Sequence, residues 1–292
     1  MIPLRTIFEK ERKRLKVPWI VLEQDYLLSW ILWGIQSVDI LKRTLVFKGG
    51  TALKKIYFDN YRFSEDLDFS VLKGVPMGED LFTSLKQACI TAQKAMEEQI
   101  PNPIITCTPY EGKHPHPGNQ QAFTIKGQLP WHREPHVRVM VEITMDEIIS
   151  LNPLEKPILS HWYESMAPTI LSYSLEEIIS EKLRAILQNI KKYHERGWIR
   201  SRARDYYDLW CILKQKKYPL NLKLIPKSLE EKSKPKNVSY QSIDDFFDTS
   251  IISQVKTDWQ QWLAPLISDL PVCDMVLDEL YEALSVIIPT KL

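Results

Sequence analysis

The chain has 292 residues, 44% of them hydrophobic, a net charge of +1 and four cysteines. That is enough apolar material for one substantial core and a second, smaller one. The cysteines, Cys89, Cys107, Cys211 and Cys273, are too scattered for a zinc knuckle or a redox pair, so reduced thiols in a cytoplasm are expected.

Residues 1–42 read as two helices, and the apolar stretch over 17–40 is interrupted by Glu23, Gln24 and Asp25. No basic segment followed by an unbroken apolar run occurs at the start, so neither secretion nor membrane spanning is expected. Residues 45–47 read as a short buried strand, Gly49-Gly50 as its turn and 51–58 as a helix. Without Cβ atoms the glycines can adopt positive φ and present N–H groups at a helix start, where phosphate is favoured.

Asp66-Leu67-Asp68-Phe69-Ser70-Val71 alternates polar and apolar, which puts Asp66, Asp68 and Ser70 on one strand face and Leu67, Phe69 and Val71 on the other. Two carboxylates so placed repel unless a cation sits between them, and oxygen ligands on a strand suit Mg²⁺ bridging substrate phosphates. The pattern points to metal-assisted phosphoryl or nucleotidyl transfer. The ordinary alternative is an aspartate pair in solvent beside a common glycine turn.

A helix is expected over 79–99, and His114-Pro115-His116-Pro117-Gly118 reads as a surface loop rather than a chelating site. Residues 136–145 form a strand pattern with Val137, Val139, Val141, Ile143 and Met145 on one face and Glu142 on the other. Glu142 is either a third acid for Asp66 and Asp68 or a half-exposed strand glutamate.

Pro153, Pro157 and Pro168 mark a crossing into a helical half, with patterns over 174–192, 198–215, 241–264 and 272–287. Ser174 and Glu177 open the first like a capping box, and Lys182 falls within its apolar stripe. A lysine there either meets an anion or snorkels to water. Tyr206, Tyr207, Trp210 and Leu213 supply the packed side of the next helix, leaving Asp205 and Asp208 directed elsewhere, Asp208 as a structural partner. Lys182, Arg184, Lys191, Lys192, Arg196, Arg200, Arg202 and Arg204 make a basic flank, continued by lysines over 214–236, before an acidic segment from Asp244. Tyr193, Trp198, Tyr206 and Tyr207 could stack on unpaired bases or pack in a core.

The glycine turn, acid-x-acid strand and third acid together resemble the DNA polymerase β-type nucleotidyltransferase superfamily. A closer resemblance, over about 47–69 and 174–209, is to the AbiEii/AbiGii-type toxins of bacterial type IV toxin–antitoxin systems. It is carried by Lys48-Gly49-Gly50-Thr51-Ala52-Leu53, Arg62-Phe63-Ser64-Glu65-Asp66-Leu67-Asp68-Phe69, Ser174-Leu175-Glu176-Glu177 leading to Glu181-Lys182-Leu183-Arg184-Ala185, and Arg202-Ala203-Arg204-Asp205-Tyr206-Tyr207-Asp208-Leu209.

The resemblance implies an α+β fold: a polymerase β-like mixed sheet with N-terminal helices over 1–155, followed by a helical domain over 156–292. It implies Asp66, Asp68, Glu142, Lys182 and Asp205 as catalytic residues, with Asp66, Asp68 and Glu142 ligating two Mg²⁺ ions. Lys48, Gly49, Gly50, Thr51, Arg62, Ser64 and Lys182 would bind the nucleoside triphosphate. Asp205 would orient or deprotonate the attacking hydroxyl, or hold Lys182. The implied acceptor is RNA, the tRNA 3′ end foremost, in the cytoplasm, with translation blocked as the result. A cognate antitoxin encoded nearby, commonly a winged-helix DNA-binding protein, completes the system and need not bind the toxin. The other readings kept open are nucleotidylation of a protein hydroxyl and a non-catalytic RNA-binding module.

Overall fold

The computed structural model describes residues 3–111, 119–160, 162, 168–197 and 200–290. The expected loop at His114–Gly118 and Trp198 lie outside the described residues. The chain divides into two units, Met1–Glu147 with Pro153–Ser172, and Ile148–Asn152 with Tyr173–Leu292.

The first unit opens with α1 (Leu4–Leu15), α2 (Trp19–Gln36) and α3 (Asp39–Thr44), one helix more than the sequence pattern suggested. Pro3 and Pro18 stand at the N-caps of α1 and α2, where a missing N–H costs nothing. Phe8 of α1 is fully buried, its ring 5.5 Å from Trp19, 5.7 Å from Tyr26, 5.5 Å from Trp131 and 5.1 Å from Trp162. These tilted and edge-on contacts lock the first helix onto the second. α2 is apolar nearly all round and accordingly buried along most of its length.

A seven-stranded sheet follows, in the order β3-β4-β5-β2-β1-β7-β6. Its strands are β1 (Leu45–Lys48), β2 (Asp66–Val71), β3 (Ile104–Pro109), β4 (Gln120–Gln128), β5 (Val137–Thr144), β6 (Leu154–Pro157) and β7 (Thr169–Ser172). β2 runs parallel to β5 and β1 parallel to β7, while the other pairs are antiparallel. One face of the central strands carries the core residues Phe47, Leu67, Phe69, Val139, Val141 and Ile143. α2 packs against β5 and against α5 (Gly78–Glu97), which in turn packs on β3. Gly34 of α2 lies against α5 so closely that a Cβ would stand 2.2 Å from the Ala88 carbonyl oxygen, so only glycine allows that approach.

β6 straddles residue 155, after which a helical half was expected, and β7 lies beyond it. Both belong to the sheet, so the first unit takes in Pro153–Ser172, while Ile148–Asn152 goes with the second. Both strands are only four residues long, too short to show an alternation, and prolines that read as linker signals bound them. Pro157 ends the edge strand β6, where a missing donor is tolerated.

The second unit contains α6 (Leu175–Arg196), α7 (Ala203–Lys214), α8 (Leu224–Ser233), α9 (Thr249–Leu263) and α10 (Cys273–Ser285). Ile178, Ile179, Leu183 and Ile186 of α6 join Leu209 and Ile212 of α7, Leu229 of α8, Trp259 of α9 and Leu280 of α10 in the buried set. α8 was unforeseen, because its lysines hide the apolar spacing of Ile225 and Leu229. The single pattern over 241–264 breaks into a 3-10 turn, Ile243–Phe246, and α9, whose N-cap is Asp248. Ser174 caps α6 by accepting from the Glu177 N–H at 3.2 Å. Glu177 does not reciprocate as a capping box: its buried carboxylate accepts from the N–H groups of Ser150 and Leu151 at 3.0 and 2.9 Å, and pairs with Lys232 at 2.6 Å. Among the described residues no helix is long and apolar enough to cross a membrane.

Candidate active site

In the first unit, β1 leads directly into α4 (Gly49–Ala52), which continues as a π turn over Leu53–Tyr57. The expected helix over 51–58 therefore starts at the glycines themselves. Gly49 has φ +77°, a left-handed conformation, and a Cβ added there would lie 2.4 Å from Asp68 Oδ2. A Cβ at Gly50 would lie 2.2 Å from Arg62 Nη2. The two glycines thus let the turn close over one carboxylate and one guanidinium.

Antiparallel register sets Lys48 opposite Asp68, and parallel register sets Asp68 opposite Glu142 and Asp66 opposite Met140. Paired residues project to the same face, and i and i+2 share a face. Lys48, Asp66, Asp68 and Glu142 therefore occupy the face opposite the Leu67–Phe69 core. Asp66, Asp68 and Glu142 are half-buried, whereas Lys48 is buried.

The Thr51 hydroxyl donates to the Asp66 carbonyl, tying α4 to the start of β2. Arg62 is buried and its Nη1 donates to the Phe63 carbonyl at 3.1 Å. Ser64 is half-buried in the irregular stretch just ahead of β2. Among the described residues no group of three or more His, Cys, Asp or Glu side chains is gathered as a ready-made metal cage. Three carboxylates on one face, two of them at paired positions, nevertheless fit a hard divalent cation in donor chemistry and in register.

In the second unit, Lys182 of α6 is 8% exposed. Its Nζ lies 2.8 Å from Asp205 Oδ1 and 2.7 Å from Asp208 Oδ2, both on α7. Snorkelling to water is thereby excluded, and Asp208, fully buried, is as much a partner of the lysine as Asp205 is. Arg202 Nη1 donates to the other Asp205 oxygen at 3.1 Å. Burial alone would raise the Asp205 pKa, but Lys182 and Arg202 together hold it well below the usual carboxylate range. The expectation that Asp205 could hold Lys182 came from the resemblance, and Asp208 was expected only as a structural partner; that both meet one lysine was not foreseen, and Arg202 was expected only as part of the basic flank.

Lys192 is held below its ordinary value first by partial burial and then by Arg202, Arg196, Arg184 and Arg200. Tyr206 and Tyr207 are buried, and the Tyr206 hydroxyl donates to the Phe246 carbonyl. Tyr193 is half-buried.

Comparison with known proteins gives two findings. The family described as nucleotidyl transferase AbiEii toxin, type IV TA system, matches residues 30–283. Among solved structures, the chain is similar to MenT4, a nucleotidyltransferase toxin from Mycobacterium tuberculosis H37Rv, with 16% identity and a TM-score of 0.55, over 89% of this chain and 82% of that one. At that identity the likeness speaks for the fold. No curated protein matches the sequence.

Proposed function

This chain belongs to the AbiEii nucleotidyltransferase toxin family of type IV toxin–antitoxin systems, and on that premise we propose that it moves the nucleoside monophosphate of a nucleoside triphosphate onto the 3′ end of a tRNA and so blocks translation in the cytoplasm. The observation that carries the reading is the pairing of Asp68 with Glu142, with Asp66 on the same face, beside a glycine turn that Asp68 touches.

Asp66, Asp68 and Glu142 would hold two Mg²⁺ ions. Bound there, the metal supplies a lowered pKa for the attacking hydroxyl and a counter-charge for the departing pyrophosphate. Gly49 and Gly50 leave backbone open to phosphate oxygens, while Lys48 and Arg62 supply positive charge and Thr51 fixes the turn to β2. Ser64 is the hydroxyl donor nearest in sequence to Asp66. Asp205 orients Lys182, which serves as a phosphate-binding cation, and Asp208 shares that holding role. Most of the acceleration comes from positioning and electrostatics, as in other phosphoryl transfers.

An RNA acceptor is supported by exposed Lys192, Arg196 and Arg200, positive charge suited to a phosphate backbone. A cognate antitoxin encoded nearby restrains the activity.

The deciding experiment incubates the protein with labelled ATP, GTP, CTP and UTP, each with total tRNA and, separately, with a protein pool. Label appearing at the tRNA 3′ end is the expected result. Label confined to protein moves the acceptor to a protein hydroxyl, and no label in either pool leaves only an RNA-binding module.

A further inference from the structure

The π turn after the glycine pair carries two consecutive lysines inward. Adjacent side chains on a helix diverge by about 100°, so one of two neighbouring lysines ordinarily reaches water. Here Lys54 is 8% and Lys55 2% exposed.

Lys55 is fully accounted for: Nζ lies 2.8 Å from Asp25 Oδ1 and donates to Ser29 Oγ at 2.8 Å. The other Asp25 oxygen accepts from Trp162 Nε1 at 2.8 Å. Both oxygens of that buried carboxylate are therefore occupied, and Asp25 acts on Lys54 only across space. Lys54 has no such partner: its Nζ makes a long contact of 3.5 Å with the Tyr61 carbonyl and stands 3.9 Å from the centre of the Phe63 ring. Neither contact brings a negative charge, and a buried ammonium without one is costly.

Both lysines line a cavity of about 330 Å³ together with Asp59, Leu159 and Ser160. Ser160 Oγ accepts from the Trp162 N–H at 3.2 Å, which leaves its own O–H to donate. Asp59 is exposed, so solvent screens it more than the buried ammonium. The space is roughly ten times the share of a single water.

We infer that this cavity is a binding site for a phosphate group, inorganic or carried on a small ester, with the Lys54 ammonium as counter-charge and the Ser160 hydroxyl as a donor. The electrostatics agree with the geometry. Burial pushes Lys54 down to about 8, with Asp25 opposing, Lys55 and Arg14 adding to the fall and Asp59 opposing it last. A bound phosphate would restore the proton. The site stands independently of the transfer chemistry proposed above.

The test is acetylation of the whole protein with acetic anhydride at pH 8, read lysine by lysine by peptide mass mapping, across titrations of inorganic phosphate and, in a second arm, adenosine monophosphate. Expected is a saturable, severalfold protection of Lys54 with none at exposed Lys73. Protection by phosphate alone marks a free-anion site; protection by the nucleotide alone marks an ester site. Calorimetry of phosphate binding at pH 8.5 should show proton uptake that Lys54→Met abolishes. Lys54 acetylation unchanged across both titrations, or proton uptake undiminished in Lys54→Met, would overturn the inference. The calorimetric comparison decides where the amine resists acetylation, and the labelling decides where the variant fails to fold.

Discussion

Asp68 and Glu142 occupy paired positions on neighbouring parallel strands, so the two carboxylates leave the same face of the sheet side by side. Lys48 stands opposite Asp68 on the other side of β2. Asp68→Asn and Glu142→Gln keep shape and remove one charge each. We expect each to lower nucleotide transfer by at least about a hundredfold in protein that still folds. Transfer assays and thermal melts on the same preparations check this, and full activity in Glu142→Gln would remove Glu142 from the acidic set.

Gly49 is constrained twice, by φ +77° and by Asp68 Oδ2 at 2.4 Å from where a Cβ would sit. Gly49→Ala should cost about 1–2 kcal/mol from the left-handed backbone alone, and more from displacing the carboxylate, with transfer activity falling alongside. Gly50 offers a cleaner experiment, because its constraint is the Arg62 guanidinium, 2.2 Å from where a Cβ would sit. Arg62→Ala should relieve part of the destabilisation caused by Gly50→Ala. A double-mutant cycle with no coupling would show that the two do not compete for space.

How much of this was legible in the sequence varies with the physical signal. Alternation in Asp66–Val71 and in 137–144 fixed which side of each strand the acids take, because period-two patterns survive wherever one face is buried. The pairing of residue 68 with residue 142 could not be read, since register between distant strands depends on the whole sheet. Lys54 and Lys55 escaped notice because sequence reading assumes a regular helix after the glycines, and a π turn breaks that assumption. Arg62 was in the motif, yet only coordinates show that Gly50 is glycine on its account.

Lys182 sits between Asp205 and a fully buried Asp208, at 2.8 and 2.7 Å. Lys182→Met would leave Asp208 charged and buried, at a cost of about 3–5 kcal/mol. Loss of growth inhibition in that variant would therefore mix unfolding with chemistry. The double variant Lys182→Met/Asp208→Asn should recover part of the stability in urea titration. If growth inhibition in cells stays lost while stability returns, Lys182 serves the reaction; if toxicity returns with stability, its role is structural.

Asp25 and Lys55 make the corresponding buried pair in the first unit. Burial alone would raise Asp25, but Lys55, then Lys54 and the Lys55 and Trp162 hydrogen bonds, bring it from 3.8 down to about 2. A carboxyl depressed on folding contributes stability that is present above its ordinary pKa and lost as the pH falls through the folded one. The contribution is roughly 2 kcal/mol, full above about pH 4 and gone by about pH 2. Hydrogen exchange of α2 peptides should therefore accelerate across that window. Asp25→Asn should flatten the acid dependence and raise exchange at neutral pH, because Lys55 then loses its counter-charge. An unchanged acid profile in Asp25→Asn would assign the transition to other carboxylates of the first unit.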